Sequence, residues 1–226
     1  MKYIKQFDSY KTLDCSRTNI TELPILSDTL DELYCSGNKL TELPTLPDTL
    51  TYISCDGNLL TTLPTLPLSL HTLYCYNNKL TEIPELPSLS SFSCGNNILT
   101  ELPTLPDTLI DISCGKNKLT TLPILPNSLT YISCDGNLLT TLPTLPLSLE
   151  KLYCYNNELT MLPTLPDTLK ELNCCDNKLT TLPILPESLE HLSCTGNLLP
   201  YKNIDEYNEW ISIHHPEISS TKKFNL

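Results

Sequence analysis

Thr51–Leu70 reads TYISCDGNLLTTLPTLPLSL, and the same letters return at Thr130–Leu149. Looser copies of this stretch fill most of the chain, so one repeated unit decides the fold. The cysteines mark its period: Cys15, Cys35, Cys55, Cys75, Cys94, Cys114, Cys134, Cys154, Cys174 and Cys194. Every step is 20 residues except the one of 19 between Cys75 and Cys94. Around each cysteine runs the pattern LxxLxCxxNxLTxLPxLPxx, as in Leu30, Leu33, Cys35, Asn38, Leu40, Leu43, Pro44, Leu46 and Pro47.

Leu33 and Cys35 alternate with Glu32, Tyr34 and Ser36, the period of two of a short strand with one buried face. So short a strand cannot bury its own apolar side, and neighbouring units must stack and share a continuous core. Of the 19 prolines, 17 lie in the LPxLP motif, which rules helix out of the return path. Proline lacks the amide a helix needs and pushes the residue before it toward extended geometry. The expectation is about ten short parallel strands in a curved sheet, with an extended, polyproline-like convex side.

The spacing and the LPxLP tail resemble a leucine-rich repeat, with cysteine in the third apolar slot. The subclass most similar is that of bacterial secreted effectors, the YopM-like scaffolds and IpaH-like ubiquitin ligases. Giant-virus leucine-rich repeat proteins are similar too. The resemblance covers roughly residues 11 to 200 and implies an all-β-rich solenoid, a leucine-rich repeat superhelix that binds protein. IpaH-like proteins carry a separate cysteine ligase domain, and only 27 residues follow Leu199, so that activity is not carried over.

The asparagine column, Asn38 through Asn197, is polar yet points inward after each strand. Its amide is suited to bond turn backbone groups on both its oxygen and its nitrogen. Before it stand Gly37, Gly57, Asn77, Asn96, Gly136, Asn156 and Gly196, types that tolerate positive φ. That column is read as the sharp turn off the strand. Ten of the eleven cysteines occupy the inward apolar slot, where they are read as small buried hydrophobes in a reducing compartment. The eleventh, Cys175, is expected to face solvent. No CxxC occurs, and His191 projects opposite to Cys194, so no metal site and no cofactor are expected.

A net charge of −12 excludes nucleic acid and anionic membrane as partners of the chain as a whole, since both call for a basic face. It suits a soluble scaffold, or one that docks on a basic protein surface. No apolar run approaches the ~20 residues of a membrane span, and MKYIKQFDSYKTL has no apolar signal core, so a cytoplasmic setting is expected, host cytoplasm included.

Three segments follow. Residues 1–12 form an N-terminal cap with Ile4 and Phe7 as its lid, and 13–200 form the solenoid. Residues 201–226 carry a capping helix, opened by Asn203 and closed by Pro216, then a tail. Residues 51–70 and 130–149 lie 79 positions apart, four repeats less one residue, which marks the duplication of a four-repeat block.

Function is expected on the outward strand positions, because repeat proteins bind on the concave sheet. Tyr34, Tyr52, Tyr74 and Tyr76 form one cluster there, and Tyr131, Tyr153 and Tyr155 a second, with Asp56 and Asp135 beside them; Asp111, Lys116 and Asp176 are read as outward too. Tyrosine anchors interfaces by burying much area for little rotamer entropy. It also suits strands as such, and the duplication alone copies one cluster into two. The acidic residues lie on an open sheet without a pocket to shift their pKa, and no Ser, His and Asp constellation recurs, so no enzyme activity is expected. The leading function is a non-catalytic protein-binding scaffold, an intracellular effector aimed at host proteins. Two alternatives stand: the recognition arm of a multi-chain ubiquitin ligase, and an ice-binding solenoid built on the threonine row from Thr41 to Thr180.

Overall fold

One apolar residue between two polar ones, repeated in register, becomes one three-residue strand per repeat. The computed structural model describes residues 11–215 and holds ten of them. They are β1 (Thr12–Asp14), β2 (Glu32–Tyr34), β3 (Tyr52–Ser54), β4 (Thr72–Tyr74) and β5 (Ser91–Ser93), then β6 (Asp111–Ser113), β7 (Tyr131–Ser133), β8 (Lys151–Tyr153), β9 (Glu171–Asn173) and β10 (His191–Ser193). The strands pair in chain order, all parallel, in a single sheet. Leu33 faces Ile53, Ile53 faces Leu73 and Leu73 faces Phe92, so the inward residues stack in one row. Leu33, Ile53, Leu73 and the cysteines that follow them are 0% exposed.

No helix occurs between residues 20 and 199; the LPxLP segments are extended. Each repeat closes in a tight turn, as where the Leu50 amide donates to the Pro47 carbonyl at 3.1 Å. The short repeat tightens this turn by one residue: the Leu89 amide reaches the Pro87 carbonyl at 2.7 Å, and strand register survives the deletion. A second row of bonds, which the pattern did not announce, ties the turns together. Ser69 Oγ donates to the Leu50 carbonyl at 2.7 Å, Ser128 Oγ to Leu109 at 2.6 Å and Thr168 Oγ1 to Leu149 at 2.8 Å.

The asparagines bond across repeats as well as within them. Asn117 Nδ2 donates to the carbonyls of Cys94 (3.1 Å) and Cys114 (3.0 Å), while its Oδ1 accepts from the Leu99 amide at 3.1 Å. Where Thr18 replaces asparagine in the first repeat, its Oγ1 donates to the Cys15 carbonyl at 2.6 Å. Asn117→Leu is therefore expected to cost about 2–3 kcal/mol, because the Leu99 amide loses its acceptor and each cysteine carbonyl loses one of two donors. Cys114→Ala, which removes one sulfur, should cost about 1 kcal/mol. Urea unfolding of both variants checks the order.

Every residue of the expected turn column has positive φ, from Asn96 at 52° to Gly196 at 71°. Arg17, Lys116 and Asp176 fill the same slot at 56°, 55° and 52°. Lys116 and Asp176, expected on the sheet face, thus belong to the turn. The chain ends its described part in α1 (Ile204–His214), whose N-terminus is capped by Asn203: its Oδ1 accepts from the Glu206 amide at 2.9 Å. Glu206 returns the favour by accepting from the Lys202 amide at 2.9 Å, closing the first turn. Tyr207 and Ile211 are buried, and Tyr201 packs edge-on against Tyr207 with ring centroids 5.0 Å apart. Trp210 joins them at 5.5 Å from Tyr201. Ile4, Phe7 and Pro216 lie outside the described residues.

Candidate functional site: the open face of the sheet

Strand alternation sends the first and third residue of each strand, and the residue after each cysteine, to the face opposite the core. Adjacent strands are about 4.8 Å apart, so side chains 20 residues apart in sequence become nearest neighbours. Tyr34 and Tyr52 meet with ring centroids at 4.8 Å, and Tyr52 meets Tyr74 edge-on at 5.8 Å. Tyr76, 47% exposed, extends this patch. In the second cluster Tyr131 and Tyr153 lie at 5.6 Å, tilted by 57°.

The two patches are not equal. Four repeats beyond Tyr34 stands Ser113, so the second patch has no third stacked ring. It has an ionic cluster instead: Lys151 Nζ donates to Glu171 at 2.6 Å, and the Tyr153 hydroxyl donates to the other oxygen of the same carboxylate. The bonds from Lys151 and Tyr153 hold the Glu171 carboxyl below its usual pKa, and the reciprocal bond to Glu171 raises the Tyr153 phenol. In the first patch the hydroxyls have lighter tethers, Ser91 Oγ to Tyr74 Oη at 3.2 Å and Tyr34 Oη to Glu32 at 3.4 Å. Between the patches the face is floored by small residues, Ser93 and Ser113 with Gly95 and Gly115.

Asp56 and Asp135 are each only 7% exposed, which withdraws them from the exposed rim where alternation alone would put them. Neighbouring strands enclose them. Asp56 accepts from Ser54 Oγ (3.0 Å), Ser36 Oγ (3.3 Å) and the Tyr76 amide (3.1 Å). Burial pushes its carboxyl pKa up, and these donors oppose the shift. Asp135 accepts from Ser133 Oγ at 2.7 Å. It sits where Gly115 leaves space, since a Cβ at 115 would stand 2.5 Å from its Oδ1. Asp56 thus positions a tyrosine, Tyr76, through its backbone.

Under this face the ladder cysteines are free and buried. Desolvation pushes Cys114 and Cys154 up to about 12 and Cys55, Cys75, Cys94 and Cys134 well above the ordinary thiol value. They are inert as nucleophiles at neutral pH. Cys175 is half-buried and not exposed: Thr195 Oγ1 lies 3.2 Å from its sulfur. Among the described residues no His, Cys, Asp and Glu group is arranged to hold a metal ion, and no helix is long and apolar enough to cross a membrane. The threonine row from Thr41 to Thr180 is exposed, but it lies outside the strands. Among these threonines only Thr81 and Thr61 are joined by a backbone bond, at 3.4 Å.

Residues 69–107 match the family model described as Leucine Rich repeats (2 copies). No curated protein sequence matches the chain. Among solved structures, YopM from Yersinia enterocolitica is 38% identical with a TM-score of 0.77, over 79% of this chain and 40% of that one. YopM from Yersinia pestis, titled a leucine-rich effector protein, is 40% identical with a TM-score of 0.75, over 83% of this chain and 61% of that one. The chain thus spans less than two thirds of either YopM. The functional domain of InlJ from Listeria monocytogenes, whose title states that it includes a cysteine ladder, is 29% identical with a TM-score of 0.56, over 76% of this chain and 45% of that one.

Proposed function

Because the chain is a leucine-rich repeat protein with repeats similar to those of bacterial effectors, we propose that it is a non-catalytic scaffold whose protein partner docks on the open sheet face. The observation that carries this is the pre-ordered aromatic surface: Tyr34, Tyr52 and Tyr74 packed ring to ring across three strands, with Tyr76 half exposed at their side. Rings already held by neighbours lose little freedom on binding, which leaves more of their desolvation energy for affinity. The partner surface is basic where it meets the face, since Glu32, Asp111 and Glu171 stand among the tyrosines. The likeness to YopM supports action as an effector inside a host cell, and the buried free thiols suit a reducing cytoplasm.

Affinity capture from host-cell lysate, with wild type beside a variant carrying Tyr74→Ala, Tyr76→Ala, Tyr153→Ala and Tyr155→Ala, tests the reading. Partners of the sheet face are those that the wild type retains and the variant loses. Retention of every captured protein by both would refute it. A ubiquitin ligase subunit among the lost partners would refine the scaffold into a recognition arm.

A further inference from the structure

At the third position of the strands, Asp14, Tyr34, Ser54 and Tyr74 follow one another across β1 to β4, each paired in register with the next. Tyr34 and Tyr74 are therefore two strands apart, about 9.6 Å at ordinary strand spacing. Ser54 between them is only 9% exposed, so the two rings stand as ridges on either side of a low step. Tyr52, from the first position of β3, touches both rings and holds the ridges in place. All three rings keep part of their surface in solvent.

The carboxylates beside this patch lack cations. Asp14 is exposed and accepts from the Ser16 amide at 2.9 Å. Glu32 accepts from the Thr12 and Tyr34 hydroxyls, at 3.2 and 3.4 Å. Neither is in an ion pair among the described residues, and Lys11 nearby is taken up by Asp31 at 2.9 Å. Burial first, and the charges of Glu32 and Asp14 after it, push the Tyr34 phenol up, so both carboxylates act on this ring.

We propose that the first tyrosine patch takes a proline-rich segment of its partner, in polyproline II conformation, lying across the strands with a basic residue over Asp14 and Glu32. This rests on the open sheet face being the docking surface, and it names what the partner presents there. Polyproline II has three residues per turn and advances about 3.1 Å per residue, so residues i and i+3 lie on one ridge about 9.3 Å apart. Two strands of a sheet advance about 9.6 Å, so prolines three apart come to rest on Tyr34 and Tyr74. Other backbones miss this spacing: alternate side chains of an extended strand are about 6.7 Å apart, and two turns of α-helix advance about 10.8 Å. Proline-rich segments dock on aromatic surfaces because they carry apolar area on an already stiff backbone and lose little freedom on binding. Asp14 stands one strand beyond Tyr34, within reach of a lysine or arginine up to three residues past the proline seated there. The second patch does not fit such a segment: Ser113 takes the place of Tyr34, and Tyr131 and Tyr153 stand on adjacent strands. One segment per chain is expected.

Fluorescence anisotropy tests it, with the full chain titrated into a labelled probe of ten prolines carrying an arginine at each end. Two further probes are controls on the wild type itself. One has glycine at every second proline, so that no two prolines are three apart; the other has glutamates in place of the arginines. The proline–arginine probe should bind once per chain, and both controls at least tenfold more weakly. Tyr34→Ala and Tyr74→Ala should each weaken it at least tenfold, and Asp14→Asn with Glu32→Gln at least fivefold, with circular dichroism showing each variant folded. No binding at millimolar concentration, equal binding of the glycine probe, or two equal sites per chain would overturn the proposal. The result is separable from that of lysate capture: a partner that the tyrosine variant loses, while the probe fails to bind, removes this inference and leaves the scaffold reading standing.

Discussion

Phe92→Ala is expected to destabilise the protein by about 3–5 kcal/mol, the largest loss among single core changes in the chain. Nine strands place leucine or isoleucine at the inward slot; β5 alone places a phenylalanine, and it is 0% exposed. It belongs to the 19-residue repeat, where the turn between Pro87 and Leu89 is one residue shorter. A bulkier side chain where the coil is shortest keeps the core continuous through the step. Phe92→Leu should therefore cost well under half as much as the alanine, because leucine refills most of the cavity and matches the neighbouring repeats. The loss should also lower the cooperativity of unfolding, since each repeat is stabilised only by its neighbours. Urea denaturation followed by circular dichroism reads both midpoint and slope. Equal costs for leucine and alanine would mean that the aromatic ring has a role other than filling.

The tyrosine patches should show the opposite behaviour, small effects on folding and large ones on binding. Tyr74→Ala with Tyr76→Ala is expected to weaken a captured partner by about 2 kcal/mol or more, roughly thirtyfold, because buried aromatic anchors dominate interface energy. Stability should fall by less than about 1 kcal/mol, the worth of an aromatic contact such as that between Tyr52 and Tyr74 beyond its buried area. Tyr153→Ala with Tyr155→Ala should weaken the same partner further if it spans both patches, whose centres are about 19 Å apart at ordinary strand spacing. The second pair should also release Glu171 from one of its two donors, so its effect should grow as salt weakens the remaining Lys151 pair. Isothermal titration at two salt concentrations separates these contributions.

Much of this architecture was legible in the residues. The strands, the inward cysteines and the asparagine ladder followed from a pattern repeated in register, and Asn203 announced the helix it caps. The left-handed turn was legible where glycine or asparagine stood, but not at Lys116 or Arg17, where the ladder bonds on either side hold an unfavourable residue in the turn. The open face was read less well. Asp56 was placed outward correctly and judged exposed wrongly, because its enclosure comes from Ser36 and Tyr76, each 20 residues away in sequence and one strand away in space. The missing third ring of the second patch was legible, since Ser113 stands where the first patch has Tyr34; the tether of Tyr153 was not, because Glu171 reaches it from the neighbouring strand.

Photo-crosslinking from single sites tests most directly that the open sheet face is where the partner sits. A benzophenone amino acid placed at Ser113, between the tyrosine patches, should join the partner to the chain; the same group at Thr104, exposed on the LPxLP side, should not. Cross-links from Thr104 with none from Ser113 would contradict the account and move the binding surface to the proline side.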